Sequence, residues 1–404
     1  MNLIQAQNLS KTYGEKNLFS DVSFGIDSGQ KTALVAGNGR GKTTLLNILA
    51  GREIPDEGTV TYHKDLQMAY LEQNPLLEPG TTIAEVLYQS DTPIVKTINK
   101  YHQATEKATS DPSDENNALL QEMIEKMDAL EAWEYEQKIQ EILSKLGIEN
   151  LNQKTEILSG GQKKKVALAN ILIRDANLLI MDEPTNHLDI ALIEWLEQFL
   201  SKQKLALLLV THDRYFLDNV CEGIFELDDQ GMYFYAGRYD YFREKRAERI
   251  RNKSLEIEKA QNFHRKEIDW IRRQPKARTT KSKKRIENFE NNKAIAQQKI
   301  EDEQPADFQV EMKRLGKKIL EIKNISKAFN QETLIQNFTY TFKRGENIGI
   351  TGANGTGKST LLNILTGKVQ PDEGEVIHGP TLSIGYYTQE GMNVPGNERL
   401  IDIA

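Results

Sequence analysis

The sequence has a single cysteine and no long apolar run. That cysteine, Cys221, excludes an internal disulfide framework and a zinc site built from cysteines. The longest apolar run, Leu205–Val210, has the length of a strand, whereas a membrane helix needs about 20 apolar residues. Residues Met1–Gln5 contain neither a basic segment nor a long apolar one, so no signal peptide is expected. These absences predict a cytoplasmic protein without a membrane segment.

Glycine is absent from residues 241–303, and acidic residues are absent from residues 272–285. The longer segment carries nineteen Lys and Arg against eleven Asp and Glu, in a chain whose net charge is −7. It is predicted to form two long charged helices on either side of Pro275. Alternating charges are typical of a solvated coiled coil, but eight cations without a counter-charge favour contact with a nucleic-acid phosphate backbone. The predicted nucleic-acid contacts are Arg272, Arg273, Lys276, Arg278, Lys281, Lys283, Lys284 and Arg285.

A glycine-rich loop, Ala36–Thr44, lies between an apolar run typical of a strand and a run with the pattern of a helix. In this layout backbone amides and a helix N-terminus hold phosphate, a lysine reaches the β- and γ-phosphates, and a hydroxyl ligates Mg²⁺. The pattern has glycine at the first loop position, where this chain has Ala36; alanine disfavours a positive φ there, but we expect binding to survive. The predicted ATP contacts are Asn38, Gly39, Gly41, Lys42, Thr43 and Thr44.

The sequence around this loop recurs 316 positions later in the chain, which is the separation of Lys42 from Lys358. Gly39–Leu49 matches Gly355–Leu365, and Gln73 matches Gln389 at the same offset. A constant offset without a gap predicts a duplicated domain. The predicted ATP contacts of the second copy are Phe329, Gly352, Asn354, Gly355, Gly357, Lys358, Ser359, Thr360 and Gln389.

Two carboxylates follow a predicted buried strand, and they complete the chemistry that phosphoryl transfer requires. Such transfer depends on positioning and charge neutralisation, and a carboxylate can orient or deprotonate the attacking water. Tyr13, like Phe329, can stack on a base or belong to the core. The predicted catalytic residues are Glu183, His212 and Gln73, and the predicted Mg²⁺ ligands are Thr43, Asp182, Gln73 and Ser359.

The segment Leu158–Gln162, here called the signature segment, is a glycine-rich start to a predicted helix. With the two phosphate loops and the catalytic residues, it makes the chain resemble the ABC ATPases throughout its nucleotide domains. The chain resembles the ABC-F subfamily in three features: the fused second domain, the basic linker and the sequence of the segment Glu183–Asp189. The sequence of the segment Gln274–Arg278 is most similar to the Uup branch of the ABC-F subfamily. The resemblance assigns further ATP contacts to Ser159, Gly160, Gly161 and Gln162.

The resemblance implies an α/β fold with tandem P-loop NTPase domains of the ABC type, which hold ATP between them head to tail. The first domain is expected at 1–238 with a helical arm at about 77–151, the helical-hairpin linker at 239–304 and the second domain at 305–404. The arm is predicted to contain helices at Ile94–Ala108 and Asn116–Leu146, separated by a break at residues 111–113. Periodicity alone leaves open whether this arm is structural or a docking element.

The resemblance also implies a Mg²⁺-dependent ATPase that acts on the ribosome near tRNA, as a translation or ribosome-rescue factor. The alternatives are a structure-specific DNA-binding ATPase and a nucleic-acid-binding protein that does not hydrolyse ATP. Ala404 corresponds to position 88 of the first copy, before any second signature segment. We therefore expect either a fragment of a longer protein, with a poorly stable second domain, or a homodimer through the first domain.

Overall fold

A computed structural model of the chain describes residues 1–89, 93–228, 231–272, 319–329 and 332–388. The chain divides into two compact units, Met1–Asp302 (unit 1) and Glu303–Ala404 (unit 2). The strands of unit 1 are β1 (Asn2–Tyr13), β2 (Lys16–Asp27), β3 (Lys31–Ala36), β4 (Glu57–Tyr62), β5 (Met68–Leu71), β6 (Leu178–Asp182), β7 (Ala206–Val210), β8 (Gly223–Asp228) and β9 (Gly231–Ala236). Its helices are α1 (Lys42–Leu49), α2 (Ile83–Leu87), α3 (Pro93–Ser110), α4 (Asp114–Ala129), α5 (Trp133–Leu146), α6 (Gly160–Ile173), α7 (Ile190–Lys202), α8 (Arg214–Val220) and α9 (Tyr239–Arg272).

The central sheet of unit 1 has the strand order β5-β6-β7-β3-β8-β9. Its first five strands are parallel, and β9 returns antiparallel to β8. Every residue of β6 and β7 is buried, as expected for a parallel sheet covered on both faces. Successive side chains therefore belong to different cores: Ile180 packs in one hydrophobic cluster, and Leu179 and Met181 pack in the other.

A second, antiparallel sheet of order β2-β1-β4 covers one face of the central sheet. Its buried side chains share a hydrophobic cluster with Leu45 and Leu49 of α1. The strand predicted at Leu3–Leu9 is longer in the structure, because β1 pairs with β2 as far as Tyr13 and Lys16. Tyr13 thus ends a strand and does not lie in the turn itself.

The insertion between β5 and β6 packs against the opposite face. Its buried residues Ile98, Met127 and Ile139 share one cluster with α6, α7 and α8, so the insertion has no separate core. The predicted continuous helix Asn116–Leu146 is wrong, because two helices, α4 and α5, occupy that range. The break comes at Glu131, whose φ of 50° is a left-handed value that ends the helix. The Ala132 amide then donates to the Met127 carbonyl at 2.9 Å.

The region predicted as the linker begins with a long charged helix, α9, of 34 residues. The predicted break at Pro275 and the second linker helix lie outside the described residues. Throughout the part of the chain that the structure describes, no helix combines the length and apolar character needed to cross a membrane.

Unit 2 repeats the beginning of unit 1. It contains β10 (Leu320–Phe329), β11 (Glu332–Phe342), α10 (Lys358–Leu365) and β12 (Glu373–His378), with sheet order β11-β10-β12. Residues 347–352, the counterparts of β3, form no strand in this described part of unit 2. In unit 1, β3 lies between β7 and β8, and the described residues of unit 2 contain no counterpart of either strand.

Candidate functional site

The phosphate loop of unit 1 connects β3 to α1, as the sequence predicts. Gly41 precedes the helix with a φ of 83°, and a Cβ atom there would lie 3.0 Å from the Cβ of Leu18. Glycine is therefore required at this position for both conformation and space. Ala36 is the last residue of β3, pairs with Leu227 and is not among the residues with positive φ. The alanine at the first loop position is consequently compatible with the loop conformation.

Lys42 folds back over this loop. Its Nζ donates to the Ala36 carbonyl at 2.9 Å and to the Gly37 carbonyl at 3.4 Å. Burial lowers the pKa of the ammonium group, while the negative charges of Glu183 and Asp182 oppose that shift. The lysine thus lies between the loop and the two carboxylates. The remaining predicted contacts are Asn38 and Gly39 in the loop, and Thr43 and Thr44 in the first turn of α1.

Thr43 and Asp182 provide two oxygen ligands of the kind that Mg²⁺ prefers. The Thr43 hydroxyl donates to Asp182 Oδ2 at 2.8 Å, so one ion can contact both oxygens. Asp182 ends β6 and is 2% exposed; burial raises its carboxyl pKa, against the hydrogen bond from Thr43 and the charge of Lys164. No group of three or more His, Cys, Asp or Glu side chains positioned for a metal occurs among the described residues. The pair therefore fits Mg²⁺, which protein sites commonly hold through one or two side chains plus phosphate oxygens.

Glu183 is a buried carboxylate with one oxygen unsatisfied. Its Oε2 accepts a 3.3 Å hydrogen bond from the His212 amide. Its Oε1 lies 3.6 Å from His212 Nε2 and has no hydrogen-bond partner among the described residues. Burial raises the Glu183 pKa, and the nearby His212 opposes that shift. Because buried carboxylate oxygens normally have a partner, this atom is suited to accept a hydrogen bond from a water molecule in the site.

The backbone conformation of Glu183 determines the direction of its carboxylate. Glu183 follows β6 directly and has a φ of 51°, a left-handed value that is uncommon for glutamate. Its amide donates to the Val210 carbonyl at 2.8 Å, at the end of the neighbouring strand β7. His212 follows the same strand, and its side chain is 72% exposed. The two parallel strands thus bring together the carboxylate pair and the histidine that the sequence predicts as catalytic.

The signature segment forms the start of α6. The Ser159 side chain accepts from the Gln162 amide at 3.3 Å, and Gln162 Oε1 accepts from the Ser159 amide at 2.9 Å. This reciprocal capping leaves Gly160 exposed, with open space where a side chain would be. The side-chain hydrogen bonds described for Ser159 and Gln162 join these two residues to each other and not to the phosphate loop. Gly161 lies in the same turn.

Gln73 and Tyr13 occupy the edges of the site. Gln73 lies two residues beyond β5 with an exposed side chain, while its backbone carbonyl is held by Lys164. Tyr13 is 53% exposed, and its hydroxyl donates to Glu53 Oε1 at 2.5 Å. The Thr44 hydroxyl is a further hydrogen-bond partner of Tyr13, which places this ring beside α1.

The second phosphate loop has the same local geometry. Gly355 and Gly357 have φ values of 87° and 92°, and Lys358 Nζ donates to the Gly352 carbonyl at 2.8 Å. Phe329 is 47% exposed, with Lys327 Nζ 5.3 Å from its ring centre. The predicted contacts Asn354, Ser359 and Thr360 lie in this loop and the first turn of α10. Gln389 lies outside the described residues.

Seven of the eight predicted nucleic-acid contacts lie outside the described residues. The backbone of Arg272 ends α9, and the side chain of this residue is not described. The other seven are Arg273, Lys276, Arg278, Lys281, Lys283, Lys284 and Arg285.

Lys164, the second of three consecutive lysines, is not among the site residues that the sequence predicts. It is 1% exposed, and its ammonium donates to three backbone carbonyls beside the carboxylate pair. Burial lowers the pKa of Lys164 to about 8, while the charges of Asp182 and Glu183 oppose that shift. Helical phase does not single out this lysine, because α6 is buried on all sides from Val166 to Ile173 and buried residues lie one turn beyond each of the three lysines.

Comparison with known proteins agrees with this geometry. A family model described as ABC transporter matches residues 19–186 and 335–396, and a second model of the same description matches residues 225–308. The two parts of the first match begin at the offset of the internal repeat.

Three curated relatives align with nearly all of the chain. It is 43% identical over 403 residues to the uncharacterized ABC transporter ATP-binding protein YfmR of Bacillus subtilis, covering 100% of this chain and 64% of that protein. It is 33% identical over 386 residues to the energy-dependent translational throttle protein EttA of Mycobacterium tuberculosis, covering 95% of this chain and 69% of that protein. It is 32% identical over 403 residues to the ATP-binding protein Uup of Haemophilus influenzae, covering 100% of this chain and 62% of that protein.

The chain thus spans less than two thirds of the length of YfmR and of Uup. Its similar identities to EttA and Uup do not distinguish the Uup branch from the EttA branch. By the family match and these relatives, the chain belongs to the ABC transporter family of ATP-binding proteins, with the ABC-F proteins EttA and Uup among its relatives.

Proposed function

We propose that the chain acts as a Mg²⁺-dependent ATPase of the ABC-F type that works on the ribosome near tRNA, in translation or ribosome rescue. One observation carries the ATPase part: a buried carboxylate, Glu183, has an unsatisfied oxygen one residue beyond the Asp182–Thr43 pair. A general base must reach the attacking water, and a metal ligand must reach the phosphates. The two adjacent carboxylates have surroundings that suit these two tasks.

The residues of unit 1 have distinct roles in this proposal. The loop amides and Lys42 bind the β- and γ-phosphates, while Thr43 and Asp182 would hold Mg²⁺, which neutralises phosphate charge when bound. Glu183 accepts a hydrogen bond from the attacking water and takes its proton. His212 orients Glu183 through its amide and presents an exposed imidazole to the γ-phosphate. The half-exposed ring of Tyr13 stacks on the adenine.

The signature segment supports an arrangement in which ATP lies between two domains. Its exposed glycine amides and uncharged serine are suited to contact phosphate oxygens, yet Ser159 and Gln162 hydrogen-bond each other. We therefore propose that this segment closes a nucleotide bound to a phosphate loop other than the one around Lys42.

The ribosomal part of the proposal has two supports. The relative EttA is named as a translational throttle protein, and it is 33% identical to this chain. Residues 272–285 carry eight cations and no acidic residue, which suits the phosphate backbone of RNA. The same charges suit DNA, so a structure-specific DNA-binding ATPase is the alternative that an experiment must separate.

The ATPase proposal is tested by Glu183→Gln, which keeps the size of the side chain but removes the base. We expect turnover to fall about 100-fold or more, because general-base catalysis typically contributes about 10² to 10⁴. The affinity for ATP should change less than about threefold, because the phosphate contacts remain. Glu194→Gln, an exposed carboxylate on α7, is the matched control and should retain full turnover. Equal turnover in both variants would refute the role of Glu183.

The ribosomal proposal is tested by co-sedimentation with ribosomes, with and without ATP. One variant replaces four cations of the acid-free segment, and the control removes the same charge from α9. We expect ATP-dependent pelleting of the wild type and the control, but loss of pelleting in the first variant. The absence of ribosome pelleting, together with salt-sensitive binding to branched DNA, would favour the DNA alternative. The test variant carries alanine at Lys276, Arg278, Lys283 and Lys284, and the control carries alanine at Arg243, Lys245, Lys253 and Lys259.

A further inference from the structure

Lys164 places a buried ammonium group where three functional segments meet. Its Nζ donates to the carbonyls of Gln73 at 2.8 Å, Glu72 at 3.1 Å and Asp182 at 3.3 Å. The side chain itself extends from the second turn of α6, the helix that begins with the signature segment. One side chain thus connects the end of β5, the end of β6 and the signature helix.

The hydrogen bonding of this ammonium is complete. Lysine has three N–H donors and no acceptor, and here each donor can be matched with one carbonyl. Burying an ammonium group at 1% exposure is costly unless it is fully hydrogen-bonded and near opposite charge. Asp182 and Glu183 supply that charge. A lysine used only to cover the surface would not meet these conditions.

Two of the three bonded carbonyls, those of Glu72 and Gln73, lie outside the regular pairing of the sheet, whereas Asp182 is the last residue of β6 and pairs with Val210. Leu71 pairs with Met181 in the sheet, but Glu72 and Gln73 lie beyond the end of β5. Lys164 therefore continues the connection between the two strands past the point where the sheet ends. Its position also fixes the distance from both strand ends to the start of α6.

We propose that Lys164 is a positioning residue that holds the Gln73 segment and the Asp182–Glu183 pair in place relative to the signature helix. It acts through backbone carbonyls and does not touch the nucleotide. Its effect on turnover rests on the proposed ATPase function, whereas its effect on the order of these segments does not. The two effects are therefore measured separately.

Two substitutions separate the ammonium group from the bulk of the side chain. Lys164→Met fills similar space but leaves the three carbonyls without their donor, whereas Lys164→Arg keeps the charge and the donors. Lys163→Met is the matched control, since this neighbouring lysine is only partly buried. If the thermal stability of all three variants fell by equal amounts, the ammonium group of Lys164 would have no specific role, and the proposal would be contradicted.

The first measurement is amide hydrogen exchange, which needs no catalysis. In Lys164→Met we expect exchange to rise at least tenfold around residues 72–75 and 182–187, with α1 and α9 unchanged. Lys164→Arg and Lys163→Met should exchange as the wild type does. The proposal would be overturned if exchange in Lys164→Met rose throughout unit 1, or if it did not rise at either segment. An arginine variant that exchanges like the methionine variant would also overturn it.

The second measurement is steady-state ATP hydrolysis. We expect Lys164→Met to lower kcat at least tenfold while KM and the ADP dissociation constant change less than about twofold, because the phosphate loop is intact. Equal losses in binding and turnover would indicate a general structural role and contradict the proposal. If the wild type itself shows no turnover, the ATPase proposal fails, and hydrogen exchange alone decides the role of Lys164.

Discussion

Individual glycines in the phosphate loop region face different requirements. Gly41 combines a φ of 83° with a neighbouring Leu18 side chain, so an added methyl group has neither a relaxed conformation nor free space. Gly29, in the turn between β2 and β3, has a φ of 75°, and nothing lies within 4 Å of a built Cβ. The comparison separates the conformational cost of alanine from its steric effect on the nucleotide site.

We predict that Gly41→Ala lowers ADP affinity at least tenfold, because Leu18 forces the loop amides away from their positions. Gly29→Ala should leave ADP affinity unchanged. Both variants should lose about 1 kcal/mol of unfolding free energy, since a left-handed conformation costs an L-residue about 1 to 2 kcal/mol. Calorimetric titration and chemical unfolding check these outcomes. Equal ADP affinity in the two variants would show that the contact with Leu18 relaxes without disturbing the site.

We expect His102, in α3, to make the stability of unit 1 depend on pH. Its Nε2 is buried 3.5 Å from Glu136 Oε1, and has no hydrogen-bond partner among the described residues. Burial lowers its pKa below the ordinary 6.5, although Glu136 opposes the shift. The rings of Tyr88 and Tyr101 pack beside the imidazole. The folded protein therefore favours the neutral imidazole.

As pH falls through 6.5, the unfolded chain binds a proton at His102 before the folded chain does. The unfolding free energy should therefore decrease below about pH 6.5, until the folded imidazole is also protonated. His102→Gln should reduce this dependence between pH 7 and pH 5. Chemical unfolding across that range measures it, and the other five histidines are common to both proteins. Parallel curves for the two proteins would contradict the prediction.

At the scale of residues, the motifs were predictable but the supporting groups were not. Lys42, Thr43, Asp182 and Glu183 were identified because strand and loop patterns fix their chemistry, and the structure brings them together. Lys164 was missed because a run of three lysines resembles a solvated helix start. The apolar residues that follow the three lysines in α6 give no helical phase that distinguishes Lys164 from its neighbours.

At the scale of elements, α9 is attached to the central sheet by a partly buried ion-pair cluster around Glu226. Glu226 of β8 is 3% exposed and accepts from Arg246 Nε at 2.7 Å and Arg249 Nη2 at 2.6 Å. Arg249 also donates to Asp228 at 2.6 Å and lies 3.8 Å from the ring centre of Tyr233. Because β8 pairs with β3, the linker helix is joined to the strand that carries the phosphate loop.

We predict that Arg249→Met destabilises unit 1 by about 2 to 3 kcal/mol. Breaking a buried pair typically costs about 3 to 5 kcal/mol, and Arg249 keeps 23% side-chain exposure, which reduces the loss. Lys245→Met, which removes an exposed pair with Glu248 on the same helix, should leave stability unchanged. Chemical unfolding measures both, and limited proteolysis of residues 239–272 reports the release of α9. Equal stability of the two variants would contradict an anchoring role for the cluster.

The strands that lead to the phosphate loop and to the carboxylate pair were predictable, but α7, α8, β8 and β9 were not predicted. Apolar runs located β6 and β7, because strands buried on both faces are continuously hydrophobic. The break between α4 and α5 was missed because no proline or glycine marks it; Glu131 adopts a positive φ instead. The crossing order that places β3 between β7 and β8 depends on contacts far apart in the chain, which periodicity does not report.

At the scale of the whole molecule, the two units share details that sequence identity alone does not guarantee. Asn8 and its counterpart Asn324 both have positive φ, at 51° and 48°. A Cβ atom on Gly58, like one on Gly374, would lie 2.4 Å from the carbonyl of that asparagine. The repeat therefore extends to backbone conformation, which supports treating the two phosphate loops as equivalent nucleotide sites.

We predict that the wild-type chain binds two nucleotides, because both loops position a lysine over their own carbonyls in the same way. Lys42→Ala and Lys358→Ala should each leave one site, and the double variant should bind none. Calorimetric titration with ADP gives the stoichiometry, and circular dichroism verifies that each variant is folded. One nucleotide per wild-type chain, lost in only one of the single variants, would show that the loops are not equivalent.

The central position of β3 has a consequence for synthesis of the chain. The side chain of Thr32 in β3 donates to the carbonyl of Leu207 in β7, 175 residues later. By contrast, β1 and β2 are joined by a two-residue turn and can pair as soon as they emerge. A nascent chain therefore cannot complete the sheet beneath its first phosphate loop until β8 is made at residue 228. Nucleotide binding to that loop should begin only after this length, long after its own glycines have been translated.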